Sequence, residues 1–399
     1  MGMEYHCCVV QRQQTKLKIA QISTAAAIKQ YTSFPLENLL TSWGKKQTLL
    51  KTQRETYFLY LCTNFILNIK SLKSAMKKIL GIGSALVDIL TQIPNEQLIE
   101  ELNLPKGSMT YVDTTTSVKI GEILKTYGSK MAAGGSAANT VSGLAKLGVE
   151  SGFLSKIGED EVGRFFEKEM IDTHVKPQLL ISDTPSGRVQ AIVTPDGERT
   201  FATCLGAAAE MSPDDIKPEL FVGWDIFYVE GYLVANPSML NKAIETAKAA
   251  GLKIAIDMAS YNVVEESRDY FLKLIEDYVD YVFANEKEAY ALTGMEPLQA
   301  LDFIASRCEI AVVKVGAKGA YVKRGNEMAA IEPIKANVVD TTGAGDMWAA
   351  GFLAGLVKGE SLKKCGLMGA IVAANVIEVI GPKMDTARWE KIHAAIAKL

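Results

Sequence analysis

The sequence predicts an α/β fold: a doubly wound, mainly parallel sheet with helices on both faces and a small β-sheet beside it. Three observations lead there. Short apolar runs recur at 78–84, 151–156, 225–231, 252–257, 279–284 and 310–315. Helix-length stretches such as 237–250 and 267–277 separate several of them. Two further regions, 89–113 and 187–204, break that rhythm and look like β-ribbon. Buried strands alternating with helices imply parallel crossovers, and such sheets carry their chemistry in loops at the carboxyl ends of the strands.

The chain of 399 residues suffices for one large domain and an accessory element. Its 48% hydrophobic and 22% charged residues are ordinary for a soluble globular protein. A net charge of −3 gives no electrostatic reason to expect nucleic acid or an anionic membrane as partner. No apolar run reaches the ~18–20 residues of a membrane span. Six cysteines, at 7, 8, 62, 204, 308 and 365, show no metal or disulfide spacing, which fits a reduced, cytoplasmic protein. His6, His174 and His393 lie far apart and form no metal or triad pattern.

The first 75 residues differ from the rest. They hold ten Lys/Arg against three acidic residues, whereas the remainder holds 33 against 43. Such a shift of charge marks a boundary. The apolar stretch 57–69 is too short to span a bilayer. Met76-Lys77-Lys78 then leads directly into Ile79-Leu80-Gly81-Ile82-Gly83, a buried first strand. The expectation is that 1–75 is an upstream extension outside the fold and that Met76 is the working start. The alternative is a transit peptide, favoured by the basic character and opposed by Glu37 and Glu55.

Asp88 follows the first strand. A carboxylate there can accept hydrogen bonds from two neighbouring hydroxyls of a ribose or sugar, or cap a turn. Gly134-Gly135-Ser136-Ala137-Ala138-Asn139 precedes the helical run 140–147. Its glycines allow close approach of a ligand and Asn139 can bond hydroxyls; a plain helix start is the alternative. Residues 187–194 alternate at period two, Pro195-Asp196-Gly197-Glu198 turns, and 199–203 returns, a hairpin. With 89–113 it forms either a small lid over the site or a hairpin packed on the core edge.

Asn285 and Glu288 lie three apart at a helix start and so face one side. Oxygen donors of this kind suit magnesium, often through water, and equally suit a solvated helix start. In Lys314-Val315-Gly316-Ala317-Lys318-Gly319 the glycines suit close passage of a nucleotide, or a hairpin into 320–323. Asp340-Thr341-Thr342-Gly343-Ala344-Gly345-Asp346 is the most informative stretch. It opens the apolar helix 347–358 and leaves three backbone N–H groups, around Gly343, Ala344 and Gly345, to point at one spot. A helix N-terminus there favours anions. Asp346 adds a carboxylate beside that spot. An anion cradle next to a base is what phosphoryl transfer to an alcohol requires.

Together these motifs resemble the ribokinase-like (phosphofructokinase-B) family of carbohydrate and nucleoside kinases. The resemblance runs from Lys77 to Leu399, with five motifs in the family's order: Asp88 after the first strand, Gly134-Gly135 to Asn139, Asn285 to Glu288, Gly316 to Gly319, and the run from Asp340 to Asp346. It implies a Rossmann-like core with a β-sheet lid, using ATP and magnesium. It implies Asp346 as the base that takes the proton of the attacking hydroxyl, with the N–H groups around Gly343, Ala344 and Gly345 stabilising the transferred group. Asp88, Gly134, Gly135 and Asn139 would hold the acceptor. Asn285 and Glu288 would place magnesium and its waters, Glu288 as the metal-side residue. Lys314, Gly316, Gly319 and Asn375 would border the ATP, with Lys314 standing where the family usually has Thr or Ser. A monovalent cation near the anion hole and a monomer or homodimer are further implications.

Within the family, Leu205-Gly206-Ala207-Ala208-Ala209 and Ile256-Asp257-Met258-Ala259-Ser260 resemble adenosine kinases, although Ser84 stands where those often have asparagine. This implies adenosine as acceptor, AMP as product and a place in purine salvage, with Leu205, Ala207 and Met258 forming part of an apolar slot. A sugar kinase acting on ribose, fructose or a related furanose is the alternative. A dinucleotide enzyme is disfavoured, because Leu86 takes the place of the third glycine after Gly81-Ile82-Gly83. No Walker A or protein-kinase motif is present. A non-catalytic nucleoside binder would have no need of Asp346.

Overall fold

The computed structural model describes residues 77–399. The expectations for 1–75 and for a start at Met76 lie outside the described residues. The strands are β1 (Ile79–Ile82), β2 (Leu86–Gln92), β3 (Met109–Tyr111), β4 (Ser129–Gly134), β5 (Ser151–Gly158), β6 (Lys176–Ser182), β7 (Gly187–Val193), β8 (Arg199–Cys204), β9 (Ile226–Glu230), β10 (Lys253–Asp257), β11 (Tyr281–Asn285), β12 (Ile310–Lys314), β13 (Ala320–Arg324) and β14 (Glu327–Ile331). The helices are α1 (Gln97–Glu101), α2 (Thr114–Leu124), α3 (Ser136–Lys146), α4 (Glu161–Asp172), α5 (Pro237–Ala249), α6 (Tyr261–Glu266), α7 (Arg268–Asp277), α8 (Glu286–Thr293), α9 (Pro297–Ala305), α10 (Ala344–Val357), α11 (Leu362–Val376) and α12 (Thr386–Ile396).

The apolar runs become the inner strands of a nine-stranded sheet ordered β14-β13-β12-β11-β10-β9-β1-β5-β6. From β12 through to β6 every pairing is parallel, and β13 and β14 add an antiparallel edge. Period-two alternation sends successive side chains to opposite faces. In β9, Ile226 and Tyr228 join the core under α3, α10 and α11, while Phe227 and Val229 join the core under α5, α7 and α9. Both faces are therefore apolar, as a parallel sheet covered by helices requires. On the first face Phe283 meets Phe352 edge-on at 5.6 Å, and Trp348 stacks on Phe352 at 5.4 Å. Fully burying side chains of this size contributes about 1.5–3 kcal/mol each. They seat α10 firmly behind the site that its N-terminus reaches.

The second sheet has five strands ordered β3-β8-β7-β2-β4. The hairpin expected from 187–204 is β7 and β8, turning at 194–198. The stretch 89–113 does supply strands to this small sheet, but they do not pair with each other as a ribbon. β2 stops at Gln92, α1 follows, and the chain returns only as the three residues of β3, beside β8. The neighbours of β2 are instead β7, parallel, and β4, antiparallel. The pairing is long-range, and β4 begins with exposed Ser129 and Lys130, so no local pattern announced it. One face of this sheet is sealed by α2, with Ile120 and Leu124 against Ile192 and Ala202. Among the described residues no helix is long and apolar enough to cross a membrane.

Candidate active site

The parallel strands β1, β9, β10, β11 and β12 end along one edge of the large sheet. Gly83 and Ser84 follow β1; Glu230, Asp257, Asn285 and Lys314 close the other four. Register sets Asp257 beside Glu230 and Asn285 beside Lys314. Burial in the strands fixes the backbone, so these polar ends are presented from a rigid support.

Asp346 stands in the first turn of α10. That helix begins on Gly343, whose φ of +75° is a conformation L side chains rarely adopt, and no side chain caps it. A Cβ on Gly343 would come within 2.7 Å of the Pro382 Cβ. Of the three N–H groups expected to be free, that of Ala344 turns back to the Thr341 carbonyl at 3.2 Å, closing the turn. Those of Gly343 and Gly345 take no acceptor among the described residues. Asp340 braces the loop: it accepts from the Thr342 N–H at 2.9 Å, the Thr342 hydroxyl at 2.7 Å and the Gly381 N–H at 2.9 Å. Arg199, from β8 of the small sheet, reaches the same carboxylate at 3.6 Å.

The Asp346 carboxylate accepts from the Ser136 hydroxyl at 2.7 Å and from the Asn139 Nδ2 at 3.0 Å. The family resemblance makes Asn139 a holder of the acceptor; here its amide orients the carboxylate. Burial pushes Asp346 up to about 6, with the Asn139 and Ser136 hydrogen bonds holding it down. Near neutral pH the group is still mostly ionised, yet basic enough to take a proton.

Asp88 lies within β2 of the small sheet. A Cβ on Gly134 would sit 2.7 Å from its Oδ2, so the carboxylate stands over the glycines at the end of β4. Burial pushes Asp88 up to about 6, and the charge of Lys383 partly offsets this. Gly135, at φ +93°, starts α3 without a side-chain cap and packs against the Ser84 carbonyl. Beneath it Glu230, only 3% exposed, accepts from the Ala137 N–H at 3.0 Å and the Ser84 N–H at 3.5 Å. Burial pushes Glu230 up to about 7.

On the other side of Asp346, Asn285 caps α8 and accepts from the N–H groups of Lys287 and Glu288 at 2.9 and 3.0 Å. Glu288 answers by accepting from the Asn285 N–H at 2.7 Å and its Nδ2 at 2.5 Å. Burial, then the charge of Asp257, pushes Glu288 up to about 7. Lys314 donates to the Asp257 Oδ2 at 3.1 Å. Its Nζ lies 3.2 Å from where a Gly345 Cβ would be, beside the anion loop. Burial works against the charge of Lys314, but Asp257 and Glu288 win and hold its pKa above the ordinary lysine value.

Gly316 and Gly319 belong to the β12–β13 hairpin. A Cβ on Gly319 would lie 1.9 Å from the Ile331 carbonyl, so packing on β14 already demands glycine there. Asn375, 6% exposed on α11, spends its Nδ2 on the Ile371 carbonyl at 2.8 Å, and its Oδ1 has no partner. Nothing in these contacts ties Gly316, Gly319 or Asn375 to the Asp346 cluster. The expected apolar slot is corrected too: Ala207 and Met258 are fully buried, Met258 in the helix-covered core, and Leu205 alone is open at 36%. The open apolar groups nearby are aromatic, Tyr111 of β3 at 64% and Tyr232 after β9 at 41%.

The structure thus joins Asp346 with Asn139, Asp88 with Gly134, Asn285 with Glu288, and Lys314 with Gly345. Sequence reasoning passed over Ser136, Glu230 and Asp340, and noted Asp257 only for its resemblance. The available signal was an acidic residue ending an apolar strand, which describes both Glu230 and Asp257. The arrangement sets a free anion-favouring helix start and an ammonium beside a carboxylate of raised basicity, with a second carboxylate facing a glycine floor.

A family model described as pfkB family carbohydrate kinase matches residues 108–387. A nucleoside kinase of Methanocaldococcus jannaschii is 28% identical over 294 residues, covering 72% of this chain and 91% of that protein. The solved adenosine kinase of Sinorhizobium meliloti is 33% identical with a TM-score of 0.69, covering 80% of this chain and 100% of its own. A probable sugar kinase of Rhizobium etli is 32% identical with a TM-score of 0.69, covering 80% and 98%.

Proposed function

The chain belongs to the pfkB family of carbohydrate kinases, and on that premise we propose that it transfers the γ-phosphoryl group of ATP to the hydroxymethyl group of a nucleoside, adenosine first, giving AMP and ADP. The observation that carries this reading is the Asp346 carboxylate, held by Ser136 and Asn139 in the first turn of the uncapped helix α10. The acceptor oxygen bonds to the γ-phosphorus as its proton passes to Asp346, and the bond to the β-phosphate oxygen breaks to release ADP. The N–H groups of Gly343 and Gly345 and the ammonium of Lys314 take up the charge of the moving group. Asp88 receives the acceptor's hydroxyl protons in hydrogen bonds.

Magnesium fits this donor set in one way. Asp257 and Glu288 supply hard oxygens. Among the described residues, though, no three His, Cys, Asp or Glu are grouped to hold a metal alone. The residues therefore suit an ion bound chiefly by the nucleotide's phosphates, with Asp257 and Glu288 reaching it through water. Such an ion neutralises phosphate charge.

Support for a nucleoside comes from the likeness to the Sinorhizobium adenosine kinase and from Tyr111 and Tyr232, open aromatic faces that suit a planar base. The likeness to the Rhizobium sugar kinase favours a furanose as second reading. ATP consumption with magnesium, comparing adenosine, ribose and fructose, decides between them. Preference for adenosine with AMP formed supports the first reading; turnover with a sugar alone sinks it.

A further inference from the structure

Glu230 ends β9, the neighbour of β1, and is buried between Gly83 and the first turn of α3. A Cβ on Gly83 would sit 2.4 Å from the Glu230 Oε2 and 2.9 Å from the Ala137 Cβ. The two carboxylate oxygens serve different segments. Oε2 accepts from the Ala137 N–H at 3.0 Å, and Oε1 accepts from the Ser84 N–H at a longer 3.5 Å. Two residues back on the same strand, the Tyr228 hydroxyl lies 3.2 Å from that of Thr140. Strand β9 therefore grips α3 at Ala137 and at Thr140.

Helix α3 cannot cap itself. Gly135 holds the cap position at φ +93°, and a Cβ there would lie 2.4 Å from the Ser84 carbonyl, so no Ser or Asp can stand in its place. The cap comes instead from β9. The turn it holds is the one that sets the base: Ser136, next to Ala137, donates to Asp346 at 2.7 Å, and Asn139 donates at 3.0 Å. Burial pushes Glu230 up to about 7; the Ala137 and Ser84 N–H groups oppose this, and the charges of Asp346 and Asp257 add to it. A buried carboxylate among negative neighbours is costly. A carboxamide of the same shape would avoid that cost, but it has one accepting oxygen and would turn its NH2 toward the other N–H. Only the carboxylate serves both segments.

We propose that Glu230 is a positioning residue for the phosphoryl-transfer step: by accepting from Ala137 and Ser84 it fixes the first turn of α3, and through Ser136 and Asn139 it aims the Asp346 carboxylate. The proposal rests on the kinase reading above and deepens it. Glu230 touches neither reactant in this account; it acts on the base through the helix start that the glycine leaves uncapped.

The test uses the full chain with Glu230→Gln, Ser136→Ala and the double variant. Both KM values, kcat per folded molecule and unfolding temperature are measured from pH 6 to 8 with adenosine, ribose and fructose. At pH 8, Glu230→Gln is expected to lower kcat at least tenfold with both KM values within about threefold, since a misplacement of about 1 Å can cost ~10²-fold. The double variant should lose no more than about threefold beyond the larger single loss, because both changes act on one carboxylate. The gap between wild type and Glu230→Gln should narrow toward pH 6, where the wild-type carboxyl is itself protonated. Tyr228 and Tyr232 are held above their ordinary values and stay neutral over this range. A kcat within about threefold of wild type at pH 8 overturns the proposal. So do single losses that multiply in the double variant, or a gap that does not change with pH, the mark of a structural residue. A raised adenosine KM with kcat kept also overturns it, by making Glu230 an acceptor contact. If Glu230→Gln does not fold, Glu230→Asp, one methylene shorter and drawn back from both N–H groups, should show the same kcat loss at pH 8; an unchanged kcat overturns the proposal. A wild type that turns over only a sugar overturns the adenosine reading, while the same comparison on that sugar still judges Glu230. A wild type that turns over none of the acceptors overturns both.

Discussion

Helices α4 and α12 begin on aspartates, Asp160 and Asp385, whose side chains accept from the N–H three residues on. Helices α3 and α10 begin on glycines, with no side-chain cap. The first pair satisfies its own orphan donors and belongs to the scaffold. The second pair leaves part of its donors open, the Ala137 N–H going to Glu230 and the Ala344 N–H to the Thr341 carbonyl, and both helices start at the site. The carboxylates follow the same division. Burial pushes Asp160 up, but hydrogen bonds from Ser186 and Gly163 and the charge of Arg188 outweigh it, so its pKa lies below the ordinary value. At Asp346 burial prevails over the Asn139 and Ser136 bonds, and the pKa rises to about 6. Where the chain completes its own hydrogen bonds it gains stability; where it withholds them it keeps a place for a charged ligand.

The contrast can be broken most sharply at a glycine start. Gly343→Ala forces a side chain into a left-handed conformation and against Pro382, shifting the loop. A misplacement of about 1 Å can cost ~10²-fold in rate, and a kcat loss of that order is expected. Steady-state kinetics on the folded variant checks it.

Next comes pH. With Mg-ATP saturating, kcat/KM for the acceptor should fall about tenfold per unit below pH 6, because Asp346 is protonated there and a protonated base accepts nothing. The stability sign is opposite. Asp88, Glu230, Glu288 and Asp346 are all raised by burial, to about 6, 7, 7 and 6. Their contribution to stability is fully present below the unfolded carboxyl values and is lost as pH rises through the folded ones. Asp160 contributes in the reverse sense, above its unfolded value, and loses this as pH falls through its lowered folded value. Thermal unfolding from pH 5 to 8, in the wild type and with Glu230→Gln, should show a smaller decline with rising pH in the variant.

A scaffold cap sets the lower bound. Asp385→Ala should cost about 1 kcal/mol of stability, by denaturant unfolding, with kcat per folded molecule unchanged. Smallest of all, a chain starting at Met76 should keep kcat/KM within about twofold, since the described residues 77–399 form a compact unit of their own.

The same division explains what was legible in the sequence. The inner strands were readable because burial on both faces makes them continuous apolar runs, as in Ile310–Lys314. The hairpin β7–β8 was readable because its turn residues are local. β4 was not, since it is an edge strand paired across a long loop, and its first residues are exposed and polar. At the site, Asp346 and Asn285 announced themselves through glycine and capping patterns along the chain. Glu230 and Asp257 are single acidic residues at strand ends, and only the parallel register brings them together. The contact of Asn139 with Asp346 was not legible, because the approach of α3 to α10 is a packing result: the two residues are 207 positions apart in the chain. The Leu205, Ala207 and Met258 slot failed for a related reason, because apolar composition alone does not say which residues the core consumes.

Asp346→Asn, assayed for ADP formation alongside calorimetric binding of ATP and adenosine, tests the central claim most directly. Loss of a general base is worth ~10²–10⁴-fold in rate, so turnover should fall by at least that lower figure with both affinities kept. Its unfolding temperature at pH 7.5 should not drop, because the ionised aspartate is raised by burial and does not favour the fold. An Asp346→Asn variant that turned over within about tenfold of the wild type, below the usual range for a lost base, would contradict the account.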